Sequence, residues 1–301
     1  MPQLPEGGIV HRKRIFQEGE KTTGLAWCNP HGGDKYQPEF SDTRLVAVTG
    51  AEFGLTLDGE GVPTHTAVVA RAGSRLVFGD RTYGARAYLA AGGGIDVPVV
   101  FGSRSTHLMS RMGGLEGRSL AAGDRVPLGP PSIGALEAPI AALSRGLLSA
   151  ARIWQLPSTG PERIVVLRVL DDGNSDRFAG DALSRLQSAP YIVGQQSDRV
   201  GFRLEGPTLR QTRGADILSD ITPMGTLQVP ASGQPILLMA DRQTTGGYTK
   251  IGSVISADLS SAGQLAPGDR IRFEVCAPDT ARAMLAEREA RFQALARMAR
   301  G

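Results

Sequence analysis

The sequence predicts a mainly β protein, built as two β-domains followed by a C-terminal α-helix. Three observations carry this expectation. Gly at 39 and Pro at 19 of 301 residues punctuate a chain that turns often. Short β-branched or apolar runs, ended by Gly, Pro or Asp, recur in two separate series. From Asp279 the composition changes to Ala, Arg, Glu and Leu, with helical rather than alternating spacing. The length exceeds what one hydrophobic core usually organises, so two globular units are expected.

Taken in order, residues 1–36 form an N-terminal segment unlike the rest, and the first β-domain spans 37–150. Its strands are read at Leu45–Val48, Thr66–Ala70, Arg75–Phe78 and Arg86–Ala90. The boundary falls near Gly129-Pro130-Pro131-Ser132 and the Ala/Leu-rich stretch from Ala135 to Arg152, read as a short helix or a packed linker. The second β-domain spans 151–278, with strands at Arg163–Leu170, Tyr191–Val193, Phe202–Leu204, Ile236–Met239 and Val254–Ser256. Two phrases recur across the boundary. Leu120-Ala-Ala-Gly-Asp-Arg-Val-Pro-Leu128 resembles Leu265-Ala-Pro-Gly-Asp-Arg-Ile-Arg-Phe273, and Gly102–Thr106 loosely echoes Ala240–Thr244. Each long phrase reads as a turn feeding a closing strand, and the pair suggests a duplication. The segment 279–301 is read as an amphipathic helix capped by Asp279. Leu285, Phe292, Leu295 and Ala299 share one face, which should pack on the β-domains or on a partner.

Several function classes are disfavoured. A formal charge of +3 without a basic cluster does not imply nucleic acid, and the run His11-Arg12-Lys13-Arg14 is given no role. No apolar stretch reaches membrane-spanning length and no signal-like segment opens the chain, so the cytoplasm is expected. Cys28 and Cys276 lack disulfide or metal spacing, and His11, His31, His65 and His107 are not spaced as ligands, so no metal is expected. No P-loop or nucleophile-elbow signature is present. Ala91-Gly-Gly-Gly-Ile-Asp96 reads as a tight turn between strands, because the following Val-Pro-Val-Val cannot begin a helix facing a phosphate. One compositional fact is sharper. Of 33 basic residues only Lys13, Lys21, Lys35 and Lys250 are lysine, which singles out Lys250 as a retained amine in an arginine-rich chain.

Four polar, glycine-bearing phrases are too particular for generic turns: Gly92–Pro98 leading into Phe101–Thr106 and Gly113–Arg118; Gln196–Pro207; Gly225–Pro230 with Gly233-Gln234-Pro235; and Ala240–Ile251. Together they resemble the carboxyltransferase-like family of the 5-oxoprolinase C-type subunits, KipA, allophanate hydrolase subunit 2 and the carboxyltransferase part of urea carboxylase. The resemblance runs from roughly Pro38 to Arg300, and Met1 to about Tyr36 departs from the family pattern. It implies two cyclophilin-like β-barrels and the C-type subunit of an ATP-dependent 5-oxoprolinase, which hydrolyses 5-oxo-L-proline to L-glutamate. It further implies two partners, a KipI-type B subunit and a third, A-type subunit, and ATP as cofactor, held mainly by those partners. Two other readings stand beside it: a KipA-like regulator that binds a KipI-type kinase inhibitor, and a urea carboxyltransferase using biotin carried on another protein.

Opening a lactam needs cations for developing negative charge and donors for a planar amide and a carboxylate. The fourth phrase concentrates such groups. Lys250 and Arg242 are expected to stabilise anionic oxygen, with Asp241 orienting one of them. Gln228, Gln243, Thr244, Thr245 and Tyr248 are expected to recognise substrate, with Arg199 and Arg203 as further candidates. Gly246 and Gly247 would let the backbone approach a ligand. Arg104, Ser105 and Thr106 form a weaker set, and Glu116 with Arg118 reads as a surface pair.

Overall fold

The computed structural model describes residues 24–28, 37–121, 123–130, 164–171 and 174–298. The linker expected at Ala135–Arg152 and the run His11–Arg14 lie outside the described residues. The chain divides into two compact units, Met1–Pro161 and Glu162–Gly301.

In the first unit β1 (Gly24–Cys28), β2 (Arg44–Leu57), β3 (Glu60–Gly61), β4 (Ala67–Ala70) and β5 (Leu76–Ala91) form a five-stranded antiparallel sheet, ordered β1-β5-β2-β3 with β4 also on β2. The runs at Arg75–Phe78 and Arg86–Ala90 turn out to be the two ends of one strand, β5. The polar break between them belongs to a bulged region rather than a loop. Along β2 the buried apolar residues are Val46 and Val48 and then Ala51, Phe53 and Leu55, so the alternation slips by one residue. The slip coincides with irregular pairing to β5 between Gly50 and Leu55. An extra residue exchanges the two faces of a strand, so the apolar pattern can stay on the core side only if it shifts phase there. Phe53 and Phe78 meet edge to face at 5.8 Å inside this core. Glu116 and Arg118 pair at the surface, 3.0 Å apart. After β5 the amide of Gly94 bonds to the carbonyl of Ala91, the tight turn expected there.

The second unit contains β6 (Val165–Leu170), α1 (Ala182–Ser188), β7 (Tyr191–Val193), β8 (Gly201–Glu205), β9 (Asp216–Ile221), β10 (Thr226–Val229), β11 (Ile236–Leu238), β12 (Thr245–Val254), α2 (Leu259–Ala262), β13 (Arg270–Val275) and α3 (Pro278–Met298). Its strand order is β10-β11-β8-β7-β13-β6-β12-β9, and pairing of β10 with β12 closes seven of the strands into a barrel. The β6–β13 pair is parallel, a relation that local pattern does not reveal. Leu167, Leu227, Leu237, Ile251 and Phe273 fill the barrel. Tyr191 packs edge to face on Phe273 at 5.6 Å, and its buried hydroxyl donates to the Pro207 carbonyl at 2.7 Å.

The recurring phrase is a recurring turn. Asp124 Oδ2 accepts the Ala121 amide at 2.7 Å, and Asp269 Oδ2 accepts the Ala266 amide at 2.8 Å. Gly123 and Gly268 stand at φ 86° and 90°, a conformation that favours glycine. The terminal helix α3 is tied to its unit through Arg288, which donates to the Ser256 carbonyl at 2.6 Å, and through Met284, which Arg168 contacts. Leu285 and Phe292 remain exposed on it.

Candidate functional site

Strands β10 and β12 run antiparallel, with Gln228 opposite Lys250. Leu227, Val229 and Ile251 point into the barrel core, so the two-residue period sends Gln228 and Lys250 to the other face. Both are nonetheless buried. The Lys250 ammonium, on a side chain only 8% exposed, donates to Asp220 Oδ2 at 2.6 Å and to the Ile221 carbonyl at 3.3 Å. A buried ammonium without such partners would carry a large desolvation cost. The hydrogen bond from Lys250, aided by the Ile221 amide, holds the Asp220 carboxyl below the usual carboxylate range.

Beside this pair lies a cleft of about 240 Å³. Its polar wall includes Arg203, Gln228, Gln243, Thr245 and Tyr248, joined by Gln196, Asp198 and Thr222. Val200, Ile236 and Leu238 supply an apolar side. The Gln228 amide is the group that most clearly awaits a partner: its Nε2 is buried and makes no hydrogen bond. Gly246 permits that placement, since a Cβ there would sit 2.3 Å from Nε2. Leaving a buried donor unpaired costs roughly 1–3 kcal/mol, so a ligand acceptor at this point gains by satisfying it. Thr222 is held from two sides. Its hydroxyl donates to the Gln243 carbonyl at 2.6 Å, and its carbonyl accepts Arg242 Nε at 2.7 Å.

Of the residues singled out in the sequence, Arg203, Gln228, Gln243, Thr245 and Tyr248 converge on the cleft, and Lys250 stands against Gln228. Thr244 is exposed and uses its carbonyl to receive the Thr222 amide. Arg242 clamps the backbone at Thr222 and Met239. Asp220, not Asp241, is the carboxylate on Lys250. Asp241 instead forms a two-point pair with Arg199, at 2.7 and 2.8 Å. The physical reason is strand order, which lays β9 along the first half of β12, with Gly246 opposite Asp220. Asp220 and Thr222 were not legible because thirty residues separate Asp220 from Lys250 and no short motif joins them. Asp198 caps a turn by accepting the Val200 and Gly201 amides at 2.8 and 3.1 Å. In the weaker set Arg104 donates to the Val97 carbonyl at 2.9 Å, while the Thr106 hydroxyl is buried and unbonded. Among the described residues no group of three or more His, Cys, Asp or Glu side chains is placed to hold a metal ion. None of their helices is long and apolar enough to cross a membrane.

Comparison with known proteins identifies the family to which this closed barrel and its cleft belong. The profile of the family described as Carboxyltransferase domain, subdomain A and B, matches residues 34–275, and the chain belongs to that family. It is 39% identical over 258 residues to the 5-oxoprolinase C subunit of Escherichia coli (strain K12), covering 86% of this chain and 78% of that protein. The corresponding subunit of Haemophilus influenzae is 35% identical, covering 81% of this chain and 73% of that protein. The urea amidolyase of Saccharomyces cerevisiae is 30% identical over 83% of this chain, which spans 14% of that much longer protein. Among solved structures, the K. lactis urea amidolyase matches 97% of this chain with a TM-score of 0.76 at 24% identity, a likeness of fold, and this chain spans 18% of it. TTHA0988 matches 91% of this chain and 53% of its own at a TM-score of 0.68 and 29% identity.

Proposed function

We propose that this chain is the C-type subunit of an ATP-dependent 5-oxoprolinase complex and that its cleft binds the 5-oxoproline substrate. The observation that carries the reading is the buried, unbonded Gln228 Nε2 in a cleft that Arg203 also lines. An amide donor and a cation in one small space suit a molecule with both a lactam carbonyl and a carboxylate. The kinship to two proteins named as C subunits of 5-oxoprolinase supports the same substrate.

Within this reading Arg203 holds the substrate carboxylate, Gln228 donates to the lactam carbonyl, and Tyr248 and Thr245 border the ring. Lys250 acts from behind. Its ammonium fixes Asp220 and adds positive potential at the face where negative charge develops on oxygen. A cleft of about 240 Å³ suits a small acid amide and is below the roughly 300–1,000 Å³ of pockets for larger ligands. This cleft is too small to take ATP whole, and in this reading the nucleotide is held mainly by the partner subunits.

The test is 5-oxoproline-dependent ATP hydrolysis by this chain mixed with the A-type and B-type subunits of 5-oxoprolinase, compared with each omission. Turnover requiring all three supports the reading, and a stable complex that turns over equally well without this chain overturns it. A second reading, a urea carboxyltransferase using biotin on another protein, is favoured by the 30% identity to urea amidolyase. It predicts urea-dependent transfer of the carboxyl group from carboxybiotin in the absence of 5-oxoproline. The KipA-like regulatory reading predicts partner binding with no turnover of either substrate.

A further inference from the structure

Four residues stand in one row across the outer face of the second unit's barrel. Arg203 on β8 is the register partner of Ile236 on β11, Ile236 of Gln228 on β10, and Gln228 of Lys250 on β12. Their chain neighbours Phe202, Leu237, Leu227 and Ile251 belong to the barrel core, so the two-residue period puts the whole row on the face that carries the cleft. The row therefore runs cation, apolar group, amide, cation. Neighbouring strands lie about 4.8 Å apart, which sets the backbones of Arg203 and Gln228 about 10 Å apart with Ile236 midway. Both flanking groups have bonding capacity to spare. The Gln228 Nε2 is buried without a hydrogen bond, and Arg203 takes part in no ion pair among the described residues.

Ile236 keeps its place because Gly201, across from it on β8, has no side chain. A Cβ on Gly201 would stand 2.9 Å from Ile236 Cγ2 and 3.6 Å from Leu238 Cδ2, so the glycine is what leaves room for these two apolar groups. All three residues line the cleft.

The chemistry of a γ-lactam acid decides how it crosses this row. In 5-oxoproline the carboxylate and the carbonyl sit on the two carbons that flank nitrogen. The ring thus has one polar edge, the N–H, and one apolar edge, the two methylenes opposite. With the carboxylate toward Arg203 and the carbonyl toward Gln228, the ring bridges Ile236, and either edge could turn down onto it. An N–H against Ile236 would lose its hydrogen bond, whereas the methylenes gain apolar contact.

We propose that Ile236 is a specificity-determining residue: it is the floor that receives the methylene edge, limits the ring to five members and turns the lactam N–H toward the cleft mouth. The inference rests on the reading of this cleft as the 5-oxoproline site and deepens it. A six-membered homologue keeps the same two polar ends, because its extra methylene enters the edge opposite nitrogen, and that is the edge Ile236 blocks. At the mouth, solvent and the exposed residues Thr245 and Tyr248 offer acceptors for the N–H.

The experiment uses this chain assembled with the A-type and B-type subunits of 5-oxoprolinase. It compares kcat/KM for 5-oxoproline with that for 6-oxopiperidine-2-carboxylate, reading release of the opened amino diacid. The wild type should prefer the five-membered ring by about tenfold or more, and Ile236→Ala should cut that preference at least about fivefold. Ile236→Val should cut it about threefold, and Gly201→Ala, which presses on Ile236, should raise it. Because the readout is a ratio of two substrates, loss of folded protein does not move it. Equal use of both rings by the wild type, or an unchanged ratio in Ile236→Ala, overturns the inference. Should the alanine variant not assemble, an unchanged ratio in Ile236→Val overturns it instead. A wild-type assembly that turns over neither ring sinks the 5-oxoproline reading itself, an outcome distinct from failure of the ring floor alone.

Discussion

The two units carry the same turn and use it for different ends. Around Asp124 and around Asp269 the same side-chain bond closes a Gly-Asp turn, and a buried leucine, Leu120 or Leu265, precedes it. The shorter echo behaves likewise, since Arg104 donates to the Val97 carbonyl and Arg242 to the Thr222 carbonyl. What repeats is therefore scaffold: a turn and an arginine set on backbone carbonyls. What does not repeat is the chemistry. Six residues beyond Thr244 stands Lys250, whereas six beyond Thr106 stands Met112. The comparison shows Arg242, which the sequence placed beside Lys250 as a catalytic cation, set on a backbone carbonyl as its echo Arg104 is.

The sharpest way to break this comparison is to remove the unrepeated amine. Lys250→Ala should lower 5-oxoproline-dependent turnover of the assembled enzyme by about a hundredfold or more, with assembly intact by gel filtration. Because Lys250 holds Asp220 below the usual carboxylate range, their pair persists above that range and is lost only as pH falls through the depressed value. The wild-type profile should therefore show no acid limb from this pair between about pH 5 and 7. Next in size, Gly246→Ala should raise KM about tenfold with a smaller change in kcat, since the new Cβ displaces the Gln228 amide. An unchanged KM would remove Gln228 from substrate binding.

Smaller effects sharpen the repeated half. Asp124→Ala and Asp269→Ala should each cost about 1 kcal/mol in denaturant unfolding and speed amide exchange at Ala121 or Ala266 respectively. Asp124→Ala should cost slightly more, because Arg118 also pairs with that carboxylate. The smallest effect lies at His65, whose ring is half buried and whose pKa burial pushes down. The unfolded chain then takes up the proton first as pH falls. Stability is present above the ordinary histidine range and is lost as pH falls through that range, and His65→Gln should flatten that slope in melting temperature.

The mainly β class, the run of strands and the terminal helix were legible because they rest on local periodicity and turn chemistry. So were Gln228, Gln243, Thr245 and Tyr248, which stand in phrases whose polar and glycine residues have no role in a plain hairpin. The single strand β5 was not legible, since a bulged polar stretch in mid-strand looks like a loop until its partner β2 is seen to bulge opposite it. The parallel pairing of β6 with β13 joins segments about a hundred residues apart and leaves no local trace. The same limit explains the site. Which residues carry amines, amides and carboxylates is written along the chain, and so is the period that sends Gln228 and Lys250 to one face. That Asp220 rather than Asp241 receives Lys250 and that Arg199 claims Asp241 were decided by strand order. Strand order is set by closing the barrel around one apolar core, a condition that no short stretch of sequence contains.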